Sequence, residues 1–242
     1  MIPVLDLMSR PRAGGSTPTV VVLGAHCDDI EIGAGGLLLH LAARFPGLQV
    51  VAAVLTSTAE REAETRAALA DFLPGARLQL AVHRLPDGRL PAHWDRVKEV
   101  VEETRRSADG LGGADLVLAP SRHDAHQDHR TVAELTPTAF RDPLILQYEI
   151  LKSDGDLARP NVYVPLPVEW AQRKCDLLRK HYGSQQHRAW FDEEAFLGLL
   201  RIRGVECHTR YAEAFSCSKV IVGLPPDDPN REQQDAGPPA DR

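Results

Sequence analysis

The sequence predicts an α/β fold with a mostly parallel sheet flanked by helices on both faces. Three observations carry this expectation. Strand-like and helix-like segments alternate from residue 19 to residue 148, a single helical segment separates one strand from the next, and the first strand-like run is apolar and β-branched throughout. A strand buried on both faces needs such a run, and one helix per connection implies right-handed crossovers between parallel strands.

Taken in order, residues 19–24 (Thr-Val-Val-Val-Leu-Gly) read as the first strand. Residues 33–45 read as a helix stopped by Pro46-Gly47, and 48–55 as a second buried strand. A helix over 59–72 ends before Pro74-Gly75. A strand over 77–83 runs into a Pro86-Asp87-Gly88 turn. Then come a helix at 94–107, a strand at 115–119, a helix at 130–140 and a strand at 144–148. The Pro- and Asp-rich stretch 152–167 reads as a loop or small β excursion. Residues 168–182 and 192–203 read as helices, and 215–222 as a last strand. The chain divides into a flexible start (1–16), one domain (17–222) and a disordered tail (223–242) dominated by Pro and Asp.

The 242 residues carry 28 Lys+Arg against 34 Asp+Glu, a net charge of −6, which argues against a nucleic-acid binder with its basic face. No apolar run is long enough for a membrane span, and the first fifteen residues lack the apolar stretch of a signal peptide. Four cysteines without a C-x-x-C pair make neither a disulfide scaffold nor a zinc ribbon, and fit a reducing cytoplasm. Cys175, Cys207 and Cys217 read as buried small hydrophobes.

In an open parallel sheet, ligands bind beyond the carboxyl ends of the strands. Two strands end in clusters of metal-ligand residue types: Gly24-Ala25-His26-Cys27-Asp28-Asp29-Ile30-Glu31 after the first, and His123-Asp124-Ala125-His126-Gln127-Asp128-His129 after the fourth. Both should fall on one sheet edge, so His26, Asp28, Asp29, His126, Asp128 and His129 could converge. Carboxylates gathered without partners repel, and a divalent cation removes that cost. Two imidazoles and a carboxylate with an open position make a common catalytic zinc sphere.

Milder readings exist for each residue. His26 and Asp29 could simply cap a helix, and His126 and His129 could be loop residues, but the two clusters together disfavour both. His123 and Asp124 read as structural or rim residues, His83 and His93 as surface. His181 and His187 read as a substrate lid or a polar helix end, and Trp170 and Trp190 as core. The glycines from Gly33 to Gly36 begin too far from the strand for a dinucleotide fingerprint and read as close helix–sheet packing.

These motifs resemble the A-H-P-D-D-E and H-x-D-H signatures of the PIG-L/LmbE family of zinc-dependent amino-sugar N-deacetylases. Pro86-Asp87-Gly88 and Tyr211-Ala212-Glu213-Ala214-Phe215 match in the same order. The resemblance implies that His26, Asp29 and His129 hold Zn2+, with another divalent transition metal as the alternative. It also implies that Asp28 is the general base and that a cationic His126 stabilises the oxyanion. Asp128 is placed to orient a histidine, and Asp87, Arg61 and Glu64 are expected to line the substrate rim. Cys27 stands where the family has Pro, Ile30 separates Asp29 from Glu31, and Gln127 replaces another Pro. The ligand spacing is unchanged; the thiol of Cys27 is expected to be redox-sensitive.

The expected activity is hydrolysis of an N-acetyl group from an amino sugar or its conjugate, giving acetate and a free amine. The expected setting is cytoplasmic, with a small-molecule substrate, no nucleic acid, no membrane and room for a homo-oligomer; antibiotic assembly is one candidate route. The alternatives are an amidase cleaving a larger amide on a sugar–thiol conjugate, and a non-catalytic binding module that keeps the metal as structure.

Overall fold

The computed structural model describes residues 17–220. The expectations for 1–16 and 223–242, and the end of the last expected strand, lie outside the described residues.

The seven strands of the described residues are β1 (Thr19–Gly24), β2 (Gln49–Val54), β3 (Arg77–Val82), β4 (Leu116–Pro120), β5 (Leu144–Tyr148), β6 (Val162–Leu166) and β7 (Tyr211–Ser216). They form one sheet in the order β3-β2-β1-β4-β5-β7-β6. The first five are parallel, while β7 runs antiparallel to both β5 and β6. The expected mostly parallel sheet is therefore present, with an antiparallel extension at one edge.

The α-helices are α1 (Asp29–Arg44), α2 (Ala59–Phe72), α3 (Trp94–Asp109), α4 (Gln127–Ala139), α5 (Val168–His181) and α6 (Glu193–Glu206). Two cores result, one on each side of the sheet. Val20, Val22, Val50 and Leu118 meet α1, α2 and α5, whereas Val21, Val51 and Val117 meet α3 and α4. Each of β1, β2 and β4 is buried on both faces, which is why its sequence shows no polar alternation.

Close helix–sheet packing explains the glycines of α1. A Cβ on Gly33 would lie 2.1 Å from the Tyr148 ring, and one on Gly36 would lie 2.4 Å from Leu166. The Tyr148 ring cannot swing aside freely, since it is buried and its hydroxyl donates to the Leu23 carbonyl at 2.6 Å.

Three expectations need correction. Helix α1 begins at Asp29 and α4 at Gln127, each earlier than its pattern indicates, so both clusters reach into first turns rather than stopping in the preceding loops. The stretch 152–167 contains strand β6, in line with the small β excursion expected there. The last strand lies at Tyr211–Ser216, upstream of the expected 215–222. Its centre holds a buried charge, Glu213, whose carboxylate accepts from Lys174 Nζ, Gly36 N and Leu37 N, each at 2.7 Å. Of the three cysteines expected to be buried, Cys175 is, while Cys207 and Cys217 are half-buried.

Candidate metal centre

The strand order reverses between β1 and β4, and there the crevice opens beyond the carboxyl ends. All five parallel strands deliver side chains to it. β1 leads into His26, Asp28 and Asp29, β2 into α2 with Arg61, and β3 into Asp87. β4 leads into Asp124, His126, Asp128 and His129, and β5 into Lys152.

Three donors from the two clusters form a small triangle. His26 Nδ1 lies 3.0 Å from His129 Nε2, and each of these nitrogens lies 3.3 Å from Asp29 Oδ2. Three ligands placed ~2.0–2.1 Å from a tetrahedral zinc are roughly 3.3 Å apart. The donor set thus fits a divalent cation in both chemistry and spacing. His126 stands beside it, so that one ring nitrogen from each of His26, His126 and His129 falls within 4.8 Å of the others.

The triangle is held from behind. His26 Nε2 faces Asp87 Oδ1 at 3.1 Å and Asp128 Oδ2 at 3.4 Å. Asp128 also accepts from Gly88 N at 2.7 Å and Leu90 N at 3.0 Å, pinning the loop after β3 beneath His26. His129 Nδ1 lies 2.8 Å from Asp124 Oδ1, and Asp124 in turn accepts from His126 N. Such carboxylate backing fixes ring orientation at metal sites. Asp124, which the sequence suggests is structural or rim, is buried and sits directly behind a triangle histidine.

Asp28 has an unusual backbone, with φ 123° and ψ −24°, a region that a residue with a Cβ rarely occupies. Its side chain is buried. Oδ2 pairs with Arg61 at 2.9 Å, while Oδ1 is buried and finds no hydrogen-bond partner among the described residues. The adjacent Asp29 accepts from His26 N at 2.7 Å through Oδ2, and its Oδ1 lies 3.1 Å from Lys152 Nζ.

The environments separate the two carboxyls. Burial raises Asp28 above the ordinary carboxylate range, with Lys152 and Arg61 opposing. Burial also works against ionisation of Asp29, but Lys152, His129 and His26 outweigh it and hold that carboxyl well below its usual range. His26 and His129 are pushed up, burial being overcome chiefly by Asp29. Glu31, buried beneath the site with Thr65 donating to it at 3.1 Å, is pushed up to about 7 by burial.

His126 departs from expectation. It caps α4, its Nδ1 accepting from Asp128 N at 3.2 Å, which leaves the ring hydrogen on Nε2. Burial, then His26 and His129, lower its pKa. The geometry favours a neutral Nε2–H donor over the cation expected from the sequence. Cys27 also departs. It is buried, its thiol donates weakly to the Thr56 carbonyl, and burial pushes it up to about 12, so the expected redox-sensitive thiolate is suppressed.

The three residues expected at the rim differ in their contacts. Asp87 is 78% exposed and touches His26. Arg61 and Glu64 are tied to protein groups. Arg61 holds Asp28 and approaches Ser184 Oγ at 3.3 Å, and Glu64 accepts from Ser184 N and Oγ at 2.8 and 2.6 Å. Lys152 belongs to no motif, and no signal in the sequence points to it; its ammonium also lies 5.9 Å from the centre of the half-buried Trp190 ring. A cavity of 280 Å³ elsewhere, lined in part by Pro137, Phe140, Arg141 and Ile145, gathers no imidazole or carboxylate, and the chemistry points to the crevice instead.

Residues 21–140 match the family described as PIG-L: GlcNAc-PI de-N-acetylase. The chain is 28% identical over 172 residues to an uncharacterized deacetylase, YaiS, of Escherichia coli K12, spanning 67% of this chain and 89% of that protein. Its fold is similar to N,N'-diacetylchitobiose deacetylase from Pyrococcus horikoshii, with TM-score 0.65 and 19% identity over 88% of this chain and 87% of that one. It is also similar to GalB, the 4-carboxy-2-hydroxymuconate hydratase of Pseudomonas putida KT2440, with TM-score 0.64 and 17% identity over 86% of this chain and 100% of that one. At such identities the structural likeness establishes the fold, and the fold hosts more than one chemistry.

Proposed function

With the chain belonging to the PIG-L family through residues 21–140, we propose that the protein is a metal-dependent hydrolase that removes an N-acetyl group from an amino sugar or amino-sugar conjugate. The supporting observation is the triangle of His26 Nδ1, Asp29 Oδ2 and His129 Nε2, with the buried, unpartnered Oδ1 of Asp28 on the next residue. The family description and the E. coli relative's printed name support deacetylation over hydration.

In this reading His26, Asp29 and His129 hold the cation, with zinc the expected ion. A bound divalent cation would supply polarisation of the amide carbonyl and acidify a water. Arg61 fixes Asp28 Oδ2, which leaves Oδ1 to accept a proton from the attacking water. The water oxygen bonds to the amide carbon, and the carbonyl oxygen becomes an oxyanion. His126, as a neutral Nε2–H donor, hydrogen-bonds that oxygen, a role usually worth ~3 kcal/mol. Asp28, now protonated and raised by burial above the ordinary carboxylate range, passes the proton to the nitrogen as the C–N bond breaks. Acetate and a free amine leave. Asp128 and Asp124 keep His26 and His129 in orientation throughout, and Asp87 is the rim residue left exposed to meet a sugar hydroxyl.

The test is acetate release from free, oligomeric and conjugated N-acetylglucosamine by the zinc-loaded protein. Expected are turnover of at least one member and its loss in Asp28→Asn with zinc still bound. Hydration activity without acetate release, or full activity of Asp28→Asn, would overturn the reading. No helix among the described residues is long and apolar enough to cross a membrane, and the substrate is proposed to be a small acetylated molecule.

A further inference from the structure

We propose that Lys152 is a built-in counter-cation for the adjacent carboxylates Asp28 and Asp29, a positioning residue that sets how tightly the His26–Asp29–His129 triangle holds a divalent metal. The inference rests on the metal centre proposed above.

The two carboxylates are nearly or fully buried, with side-chain exposures of 2% and 0%, and stand on consecutive residues. Each has its own cation. Arg61 takes Asp28 Oδ2, and Lys152 takes Asp29 Oδ1. The oxygen of Asp29 that faces the triangle is the other one, Oδ2. Lysine and metal therefore address different oxygens of one carboxylate and can be present together.

Lys152 is delivered by a braced segment. Arg203 on α6 grips Glu149 through two contacts of 2.7 Å and also donates to the Ala158 carbonyl at 3.0 Å. Asp156 of the same stretch accepts from Ala125 N, at the edge of the second cluster. The ammonium thus sits beside Asp29 as part of a fixed arrangement.

Two opposed effects follow from Coulomb's law. Without a metal, Lys152 offsets the repulsion between Asp28 and Asp29 and keeps the triangle assembled. With a metal, a positive charge a few ångströms from a divalent cation works against it. Removing the lysine should destabilise the metal-free protein and tighten metal binding. A lysine that served only to hold the loop would give the reverse on affinity, since a loosened site binds less well.

The experiment compares wild type, Lys152→Met and Lys152→Arg, stripped of metal and titrated with zinc against a chromophoric chelator, with thermal melts in the absence and presence of zinc. Lys152→Met is expected to bind zinc about tenfold more tightly or better, to melt lower without metal, and to show a larger zinc-induced rise in Tm. Lys152→Arg, which keeps the charge, should follow wild type. A Lys152→Met protein that folds only with zinc is the same result at its limit. Equal or weaker zinc binding by Lys152→Met, or failure to fold with zinc as well as without, overturns the proposal. Zinc binding by wild type without tightening in Lys152→Met removes the lysine's role alone; no zinc binding by wild type removes the metal centre too.

Discussion

Truncating Arg61 to methionine asks whether this guanidinium tunes the base or binds substrate. Arg61 is 16% exposed and sits 2.9 Å from Asp28 Oδ2. A hydrogen bond to a charged group at such a site contributes ~1.5–3 kcal/mol. One pKa unit corresponds to about 1.36 kcal/mol, so losing the bond should raise Asp28 by roughly one to two units. The sign is fixed: burial already lifts Asp28, Arg61 opposes that, and its removal leaves the lift less opposed. A base works only when ionised, so the acid limb of kcat/KM should move about one to two pH units toward alkaline values. The assay is acetate release from pH 5 to pH 10 by the zinc-loaded variant, with Arg61→Lys expected to shift less. A uniform drop in kcat/KM with the limb in place would refute the argument and return Arg61 to the substrate rim.

Two further outcomes are expected. Gly33→Ala should lose about 2–3 kcal/mol in urea unfolding, because its Cβ would lie 2.1 Å from a Tyr148 ring anchored to the Leu23 carbonyl; an unchanged midpoint would mean that α1 can shift off the sheet. Zinc affinity should fall as pH drops through the range in which the raised His26 and His129 take up protons that the metal must displace, with a slope of up to two protons. A flat affinity between pH 6 and pH 8.5 would exclude those rings as ligands.

The parallel sheet is legible in the sequence because its central strands β1, β2 and β4 are buried on both faces, so apolar runs such as Val20-Val21-Val22 mark them. The triangle is legible because its members lie in two short motifs at strand ends. Contacts between distant residues without a motif are not. Lys152 lies in a Pro- and Asp-rich stretch where nothing local marks a lysine as inward-facing. The Arg61–Asp28 pair joins residues from successive crossovers, so in sequence Arg61 looks like any rim cation. Strand β7 lies upstream of its expected place because Glu213 breaks its apolar pattern, and the buried partner Lys174 stands 39 residues away. The charge on His126 depends on a backbone hydrogen bond, visible only once α4 is seen to start at Gln127.

The twisted backbone at Asp28 carries a tension. A φ of 123° suits glycine, and an aspartate there gives up roughly 1–3 kcal/mol of fold stability. Asp28→Gly would relieve that strain but strip Arg61 of its carboxylate partner, a bond of ~1.5–3 kcal/mol, so the two effects should roughly cancel in a melt. Under the proposed function, the backbone gains nothing from an aspartate at this φ, and the reason for one lies in what its carboxyl does in the crevice.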